Sequence, residues 1–162
     1  MANLQDDIHS SAAWIAQALT SSDYRADFTP QSLWEIDRFF DEHSRDGAAK
    51  SGGLLAEGLG ARLFAIGSYA GEVVRRAVGG EWVVDDDDPE GEINIELLLQ
   101  DGTRCWPVHR AMKRFQNGAE DGIAAWLVCM WELHQPCLNG RSVWGSSRNC
   151  LGEDIALAAV AG

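Results

Sequence analysis

Apolar residues recur every three or four positions along much of this chain, which is the spacing of one face of an α-helix. The first series falls within residues 4–19 and consists of Leu4, Ile8, Ala12, Ile15 and Leu19. It predicts an amphipathic helix over 4–19. A second helix is expected from Thr29 and Pro30 to about His43, because a threonine hydroxyl can cap free N–H groups and proline suits a first helical turn.

A longer helix is predicted over 54–78, after a glycine-containing loop at 44–53. Two glycines inside this helix, Gly67 and Gly71, lie one turn apart, and each costs about 1 kcal/mol relative to alanine in a helix interior. We expect them to form a flat strip against which another part of the chain packs closely.

The periodicity changes after residue 80 to the alternation that is typical of strands. A strand is predicted over 81–84, and a half-buried strand over 93–99, where apolar and polar residues alternate. A turn at 101–102 leads into a third predicted strand over 103–108.

Two further helices are predicted over about 109–115 and 120–134. The expected fold class is therefore α+β, with N-terminal helices and a C-terminal helix packed on a small antiparallel sheet of about three strands. Residues 1–135 are expected to form a single domain. Residues 136–162, which are rich in Gly, Ser and Asn up to Gly152 and weakly apolar from Ile155 to Val160, are expected to form a loosely docked C-terminal extension.

The charge of the chain narrows the classes of partner. The 25 acidic and 13 basic side chains give a formal net charge of −12, which repels nucleic acid and anionic membranes and favours a basic protein surface. Residues 1–10 lack the basic and apolar regions of a secretory signal, so we expect a cytoplasmic protein with reduced cysteines.

The tryptophans and an acidic run provide candidate partner-binding residues. Trp82 and Trp106 fall in neighbouring predicted strands and are expected to form a cross-strand pair or a partly exposed contact patch. The candidate partner-binding residues are Trp82, Trp106, Asp85, Asp86, Asp87 and Asp88. Core packing is instead expected for Trp14, Trp126 and Trp131, which lie on apolar helical faces.

Three patterns that could carry chemistry favour a structural explanation. The contiguous aspartates of 85–88 lack the alternating ligands of a calcium loop. A zinc site would need soft ligands, and no Cys-x-x-Cys pair occurs among Cys129, His134, Cys137 and Cys150. The i, i+4 spacing of Cys105 and His109 guarantees that a nucleophile and a base lie close together only on a helix, and Pro107 stands between them. We therefore expect no metal, cofactor or catalytic residue.

Several stretches between about Leu33 and Leu127 resemble a bacterial family of small domains of unknown function. The matching stretches are GSYAGE at 67–72, GEW at 80–82, DG at 101–102 with Pro107, KRFQNG at 113–118 and ED at 120–121. The resemblance implies helices on a small antiparallel sheet and a bacterial cytoplasmic setting, and it identifies no catalytic residues in this chain. Some acidic domains of similar size and plan look like immunity or regulatory proteins, by analogy of fold.

Our leading hypothesis is a non-enzymatic, acidic protein-interaction domain, immunity-like or regulatory, that binds a protein partner or a second copy of itself as a homodimer. The alternative is a small enzyme, or a protein that binds a small molecule or metal. That alternative places a pocket between the helix at 54–78 and the sheet.

Overall fold

The computed structural model of this chain describes residues 3–134 and 155–156. Its helices are α1 (Leu4–Thr20), α2 (Ser32–His43), α3 (Leu59–Val78), α4 (Gly91–Asn94), α5 (Pro107–Asn117) and α6 (Ile123–His134), with a 3-10 turn at Gly118–Asp121. Its strands are β1 (Ser44–Arg45), β2 (Ala48–Ala49), β3 (Glu81–Val83), β4 (Glu96–Leu98), β5 (Arg104–Cys105) and β6 (Ile155–Ala156). The predicted α+β class is confirmed.

The strands form two antiparallel sheets. Strands β1 and β2 make a two-stranded hairpin, and the other four are ordered β3-β4-β5-β6. Trp82 of β3 lies opposite Leu97 of β4, which in turn lies opposite Cys105 of β5. These three side chains are buried, so one face of the sheet contributes to the core.

Helix α3 is the central element of the core. Every residue from 63 to 74 is buried, and the helix packs against α1, α5 and α6. A Cβ atom on Gly67 would lie 2.5 Å from Val108 Cα, and one on Gly71 would lie 2.1 Å from the Trp82 ring. The expectation that these glycines accept a close neighbour is confirmed.

The predicted first helix is confirmed, whereas the next two begin later than expected. Helix α2 starts at Ser32 because Thr29 does not cap it: the Thr29 hydroxyl donates to Asp27, and its carbonyl accepts from the Ser32 N–H in a turn. Helix α3 starts at Leu59, immediately after Gly58, whose φ of 62° is left-handed.

Two predictions about extended structure are wrong. The loop expected at 44–53 contains the β1–β2 hairpin, whose turn residues Asp46 and Gly47 both have positive φ. The strand expected over 93–99 is limited to Glu96–Leu98, because residues 91–94 form α4.

The third predicted strand is shorter than 103–108 because Pro107 is the first residue of α5. Proline lacks the N–H that a ladder requires and fits a first helical turn. Strand β5 therefore contains only Arg104–Cys105.

The burial of three tryptophans was predicted, and only that of Trp126 is confirmed, at 1% exposure. Trp14 and Trp131 are 42% and 43% exposed, so their assignment to the core is wrong. Trp14 adjoins the buried Ile15 on α1 and points away from the core, where the Arg62 guanidinium lies 4.3 Å from its ring centroid.

The cysteines differ from one another. Cys105 is a free, buried thiol, whereas Cys129 is disulfide-bonded, so the expectation of reduced cysteines is wrong for Cys129. Within residues 3–134, none of the helices has the length and apolar character that crossing a bilayer requires. The extension predicted at 136–162 lies outside the described residues except for β6, so its loose docking stays a prediction.

Candidate functional site

An apolar groove of about 370 Å³ lies between α2 and α6. Its described lining residues are Pro30, Gln31, Trp34, Ala124, Leu127, Val128 and Trp131. Trp34 is 57% exposed and Trp131 is 43% exposed, so two indole rings line one depression while remaining open to solvent. We call this feature the α2–α6 groove.

The position of Trp34 follows from the apolar pattern of α2. Leu33, Ile36 and Phe40 are buried and form the core-facing side of the helix. Trp34 is one residue, and hence about 100° of helical turn, away from Leu33. Its ring therefore projects outward beside the core instead of into it.

Helix α6 is apolar on more than its core-facing side. Trp126, Leu127 and Met130 are buried, while Val128 is half-buried and Trp131 is exposed. Apolar residues on the solvent-exposed side of a helix form a surface to which another molecule can bind.

The Asp37 carboxylate joins the two helices that form the groove. Its Oδ1 accepts hydrogen bonds from the Ile123 N–H and from Arg114 Nε, both at 2.9 Å, and its Oδ2 accepts from the Ala124 N–H at 2.9 Å. A carboxylate that accepts from the first N–H groups of a helix satisfies unpaired donors and complements the helix dipole. Asp37 of α2 therefore holds the N-terminus of α6.

Arg114 extends this connection to α5. Its side chain is 2% exposed, and its Nη2 donates to the Asp37 carbonyl at 3.0 Å and to Asp41 Oδ1 at 2.6 Å. The guanidinium also lies 5.5 Å from the Phe40 ring centroid. Because α2, α5 and α6 meet at these groups, the walls of the α2–α6 groove are fixed relative to the core.

A second contact holds the start of α2, next to the groove residue Pro30. The Tyr69 hydroxyl of α3 hydrogen-bonds to Ser32 Oγ at 2.6 Å and accepts from the Phe28 N–H at 3.0 Å. Burial raises the pKa of Tyr69 despite these hydrogen bonds, so the phenol stays neutral and serves as a structural link.

None of the described lining residues of the groove is charged, and carboxylates dominate the charge of the α2 wall beside them. Residues 32–43 contain four acidic side chains and one arginine, and residues 123–131 contain no charged side chain. With histidine neutral, the four negative charges of α2 against Arg38 and the Arg114 of α5 that pairs with them leave −2. The one arginine, Arg38, is itself paired with Glu35 at 2.9 Å and Glu42 at 3.7 Å.

Trp82 and Trp106 do not form the expected pair, because β4 lies between β3 and β5. Trp82 is 8% exposed, and its Nε1 donates to Glu72 Oε2 at 3.4 Å. Trp106 is half-buried and directly precedes α5. Neither ring belongs to the described lining of the α2–α6 groove.

Glu72, the last residue of the GSYAGE stretch, has a structural role, because it forms ion pairs with two arginines of its own helix. Burial alone would raise the pKa of Glu72, but hydrogen bonds from Arg75 and Arg76 outweigh that effect and lower the pKa to about 2. The distances are 2.7 Å from Arg75 Nη2 and 3.0 Å from Arg76 Nε to Glu72 Oε1. An ionised carboxylate with all these donors holds Trp82 against α3.

The run Asp85–Asp88 organises its own loop. Asp85 Oδ1 accepts from the Asp87 N–H at 3.0 Å, and Asp86 Oδ1 accepts from the Leu4 N–H at 2.7 Å, at the start of α1. A hydrogen bond from the Asn94 side chain lowers the pKa of Asp88. Among residues 3–134, no three His, Cys, Asp or Glu side chains are grouped so as to hold a metal ion.

Cys105 is poorly suited to nucleophilic chemistry. Burial, followed by the nearby Glu96 charge, raises the pKa of its thiol to about 12, so the thiolate is scarce near neutral pH. Its Sγ donates to the Leu97 carbonyl at 3.5 Å. Of the residues considered for zinc, Cys137 and Cys150 lie outside the described residues.

The alternative hypothesis places a pocket between α3 and the sheet. Neighbouring residues fill this space at Gly67 and Gly71. Trp82 and Pro107 occupy the position that a Cβ on Gly71 would take, and Val108 does so at Gly67. A depression of about 450 Å³ does exist at the end of the β3–β4 pair. Glu81 is the one ionisable side chain in its described lining, which is too little to assemble a reaction centre.

Sequence reasoning identified neither wall of the α2–α6 groove. Trp34 is not among the candidate partner-binding residues, and Trp131 is expected in the core. The available signal was their offset from the core-facing positions, since Trp34 is one residue from Leu33 and Trp131 is one residue from Met130.

Comparison with protein families, curated proteins and solved structures finds no match to this chain. The resemblance to a bacterial domain family therefore stays a prediction, and the function rests on the site itself.

Proposed function

We propose that this chain is a non-enzymatic, acidic protein-interaction domain that binds its partner through the α2–α6 groove. The observation that carries this proposal is the exposure of two tryptophans, Trp34 and Trp131, in one apolar depression. Tryptophan is enriched among the residues that dominate protein interfaces, because a large rigid ring buries much area at little entropic cost.

The support of the groove by the core strengthens the proposal. The Asp37 carboxylate caps α6 and pairs with the buried Arg114, so the groove is formed before a partner arrives. A surface that needs no rearrangement loses less free energy to ordering when it binds.

The catalytic alternative has less support. The described residues offer no grouped metal ligands, and the buried Cys105 thiol has a pKa raised to about 12. With a net charge of −12, a protein partner is also a better electrostatic match than nucleic acid or an anionic membrane. A cytoplasmic setting and an immunity-like or regulatory role form part of this proposal.

The proposal is tested by affinity capture from a native cell lysate. Three proteins are immobilised: wild type, the double variant Trp34→Ala/Trp131→Ala, and Trp14→Ala. Trp14 is a matched control because it is 42% exposed but lies outside the groove. We expect quantitative mass spectrometry to find proteins that bind wild type and Trp14→Ala but not the double variant. Equal capture by all three, with each variant folded by circular dichroism, would contradict the proposal.

A further inference from the structure

We infer that the occupant of the α2–α6 groove is a short segment of a partner protein that presents a bulky apolar side chain between Lys or Arg side chains. This inference rests on the proposed function and specifies the class of partner. It is carried by the size of the groove and by the charge of its α2 wall.

The size of the groove favours a short segment over a large folded surface. Seven described residues line it, and its volume is about 370 Å³, near the lower end of the ~300–1,000 Å³ typical of ligand pockets. A standard interface between folded proteins involves about 20–30 residues on each side. The groove thus offers room for an anchoring side chain and its neighbours.

The lining of the groove selects an apolar anchor. Leu127, Val128 and Pro30 provide aliphatic surface, and Trp34 and Trp131 provide aromatic surface. An exposed indole also carries an N–H donor at its edge, which can bond to a carbonyl of a bound backbone. An aliphatic or aromatic side chain displaces water from this surface favourably, whereas a charged side chain placed inside it would lose hydration.

The negative charge of α2 beside the groove favours Lys or Arg residues next to the apolar anchor of the bound segment. Helix α2 carries four acidic side chains and one arginine, and Arg114 pairs with Asp37 and Asp41 from the core side, which leaves a net charge of −2. Arg38 is already paired with two carboxylates. Lys or Arg side chains beside the anchor would therefore be attracted to the α2 wall.

The same charges disfavour a second copy of this chain as the occupant. A symmetric dimer formed through the groove would bring two identical acidic faces together. Each copy carries a net charge of −12, so association would be opposed at low salt. The negative electrostatic potential that repels a second copy attracts a partner of opposite charge.

The test is a selection from a phage-displayed library of random peptides about a dozen residues long, with the full chain as bait. Phage that also bind Trp34→Ala/Trp131→Ala are removed, and Trp14→Ala serves as the control bait. Trp34→Ala alone replaces the double variant if the latter lacks the wild-type circular dichroism spectrum.

We expect the enriched peptides to share one bulky apolar residue with Lys or Arg nearby. Their synthetic forms should bind the groove variant at least about tenfold more weakly than wild type, as loss of an interface hot spot would cause. Replacing their Lys and Arg by Gln should weaken binding to wild type severalfold, and raising the salt concentration should do the same.

Three results would overturn the inference. Groove-dependent peptides that are neutral or acidic would do so while leaving the proposed function intact. A dimer in sedimentation that Trp34→Ala abolishes would assign the groove to a second copy. If no peptide distinguishes wild type from the groove variant, the inference fails, and the capture experiment decides the proposed function separately.

Discussion

Asp37 and Arg114 lie 77 positions apart in the sequence, yet the aspartate accepts both the arginine Nε and the first N–H groups of α6. One carboxylate thus joins α2, α5 and α6. Because Trp34 and Trp131 project from the two helices that it connects, the geometry of the groove depends on this pair.

Replacing Asp37 by Ala should destabilise the protein substantially. The substitution removes the more buried of the two carboxylates that pair with the Arg114 guanidinium, as well as the acceptor for the first N–H groups of α6, and breaking a buried ion pair costs about 3–5 kcal/mol. Glu35→Ala is the control, because its pair with Arg38 is more exposed, at 29% and 48% of the two side chains, and should contribute less than about 1 kcal/mol. Urea unfolding of both variants measures the difference. Similar free energies of unfolding for the two would refute the structural role of Asp37.

Two glycines of α3 should respond to alanine in opposite directions. Gly71→Ala would place a Cβ 2.1 Å from the Trp82 ring, and overpacking of this kind costs about 1–3 kcal/mol. Gly60 has no atom within 4 Å of the corresponding position, so Gly60→Ala should stabilise by up to about 1 kcal/mol through helix propensity.

Thermal or urea unfolding of these two variants checks the packing of α3 against the sheet. If Gly71→Ala proved as stable as Gly60→Ala, the close contact between Gly71 and Trp82 would be wrong.

The stability of the fold should fall with acid through Glu72. Its pKa is lowered from 4.5 to about 2, so the unfolded chain binds a proton at a pH where the folded chain does not. The corresponding stabilisation, on the order of 3 kcal/mol, is present above about pH 4.5 and is lost as the pH falls toward 2.

Urea unfolding between about pH 3.5 and 6 measures this dependence. Glu72→Gln should be less stable than wild type at neutral pH and should lose less stability on acidification. The exposed Glu57, replaced by Gln, provides the control and should leave the wild-type slope unchanged. Parallel acid profiles for wild type and Glu72→Gln would show that Glu72 does not contribute in this way.

The Cys105 thiol should be unreactive in the folded protein. Its pKa is raised to about 12 and its side chain is buried, whereas an exposed thiol of pKa ~8.5 reacts readily at about pH 8. Iodoacetamide labelling, resolved by peptide mass spectrometry, should modify Cys105 only after denaturation. Rapid labelling in the native state would revive a catalytic role.

The helices that could be predicted well are those whose apolar positions match a single buried face. Ile8, Ala12, Ile15 and Leu19 repeat without interruption, and α1 follows them. The strand expected over 93–99 was too long, because alternation alone does not reveal competing side-chain contacts. Asp88 accepts from the Glu90 N–H and from Asn94 Nδ2, which favours the helical turn of α4.

The candidate site could be predicted only in part, because it depends on contacts between distant residues. Trp34 is visibly offset from the core-facing side of α2, which is local information. That α6 packs beside α2 depends on Asp37 accepting from Ile123 and Ala124, and no periodicity indicates this contact. Trp82 and Trp106 are expected on neighbouring strands, but β4 lies between β3, which contains Trp82, and β5, which directly precedes Trp106.

The most direct test of the proposed groove is an NMR titration that follows the indole N–H signals of the tryptophans. A captured partner or a selected peptide is added to the ¹⁵N-labelled protein, and each signal is assigned by single substitution. The account predicts that the signals of Trp34 and Trp131 shift together, while those of Trp14 and the buried Trp126 stay in place. Shifts confined to Trp14 or Trp106, with Trp34 and Trp131 unchanged, would contradict it.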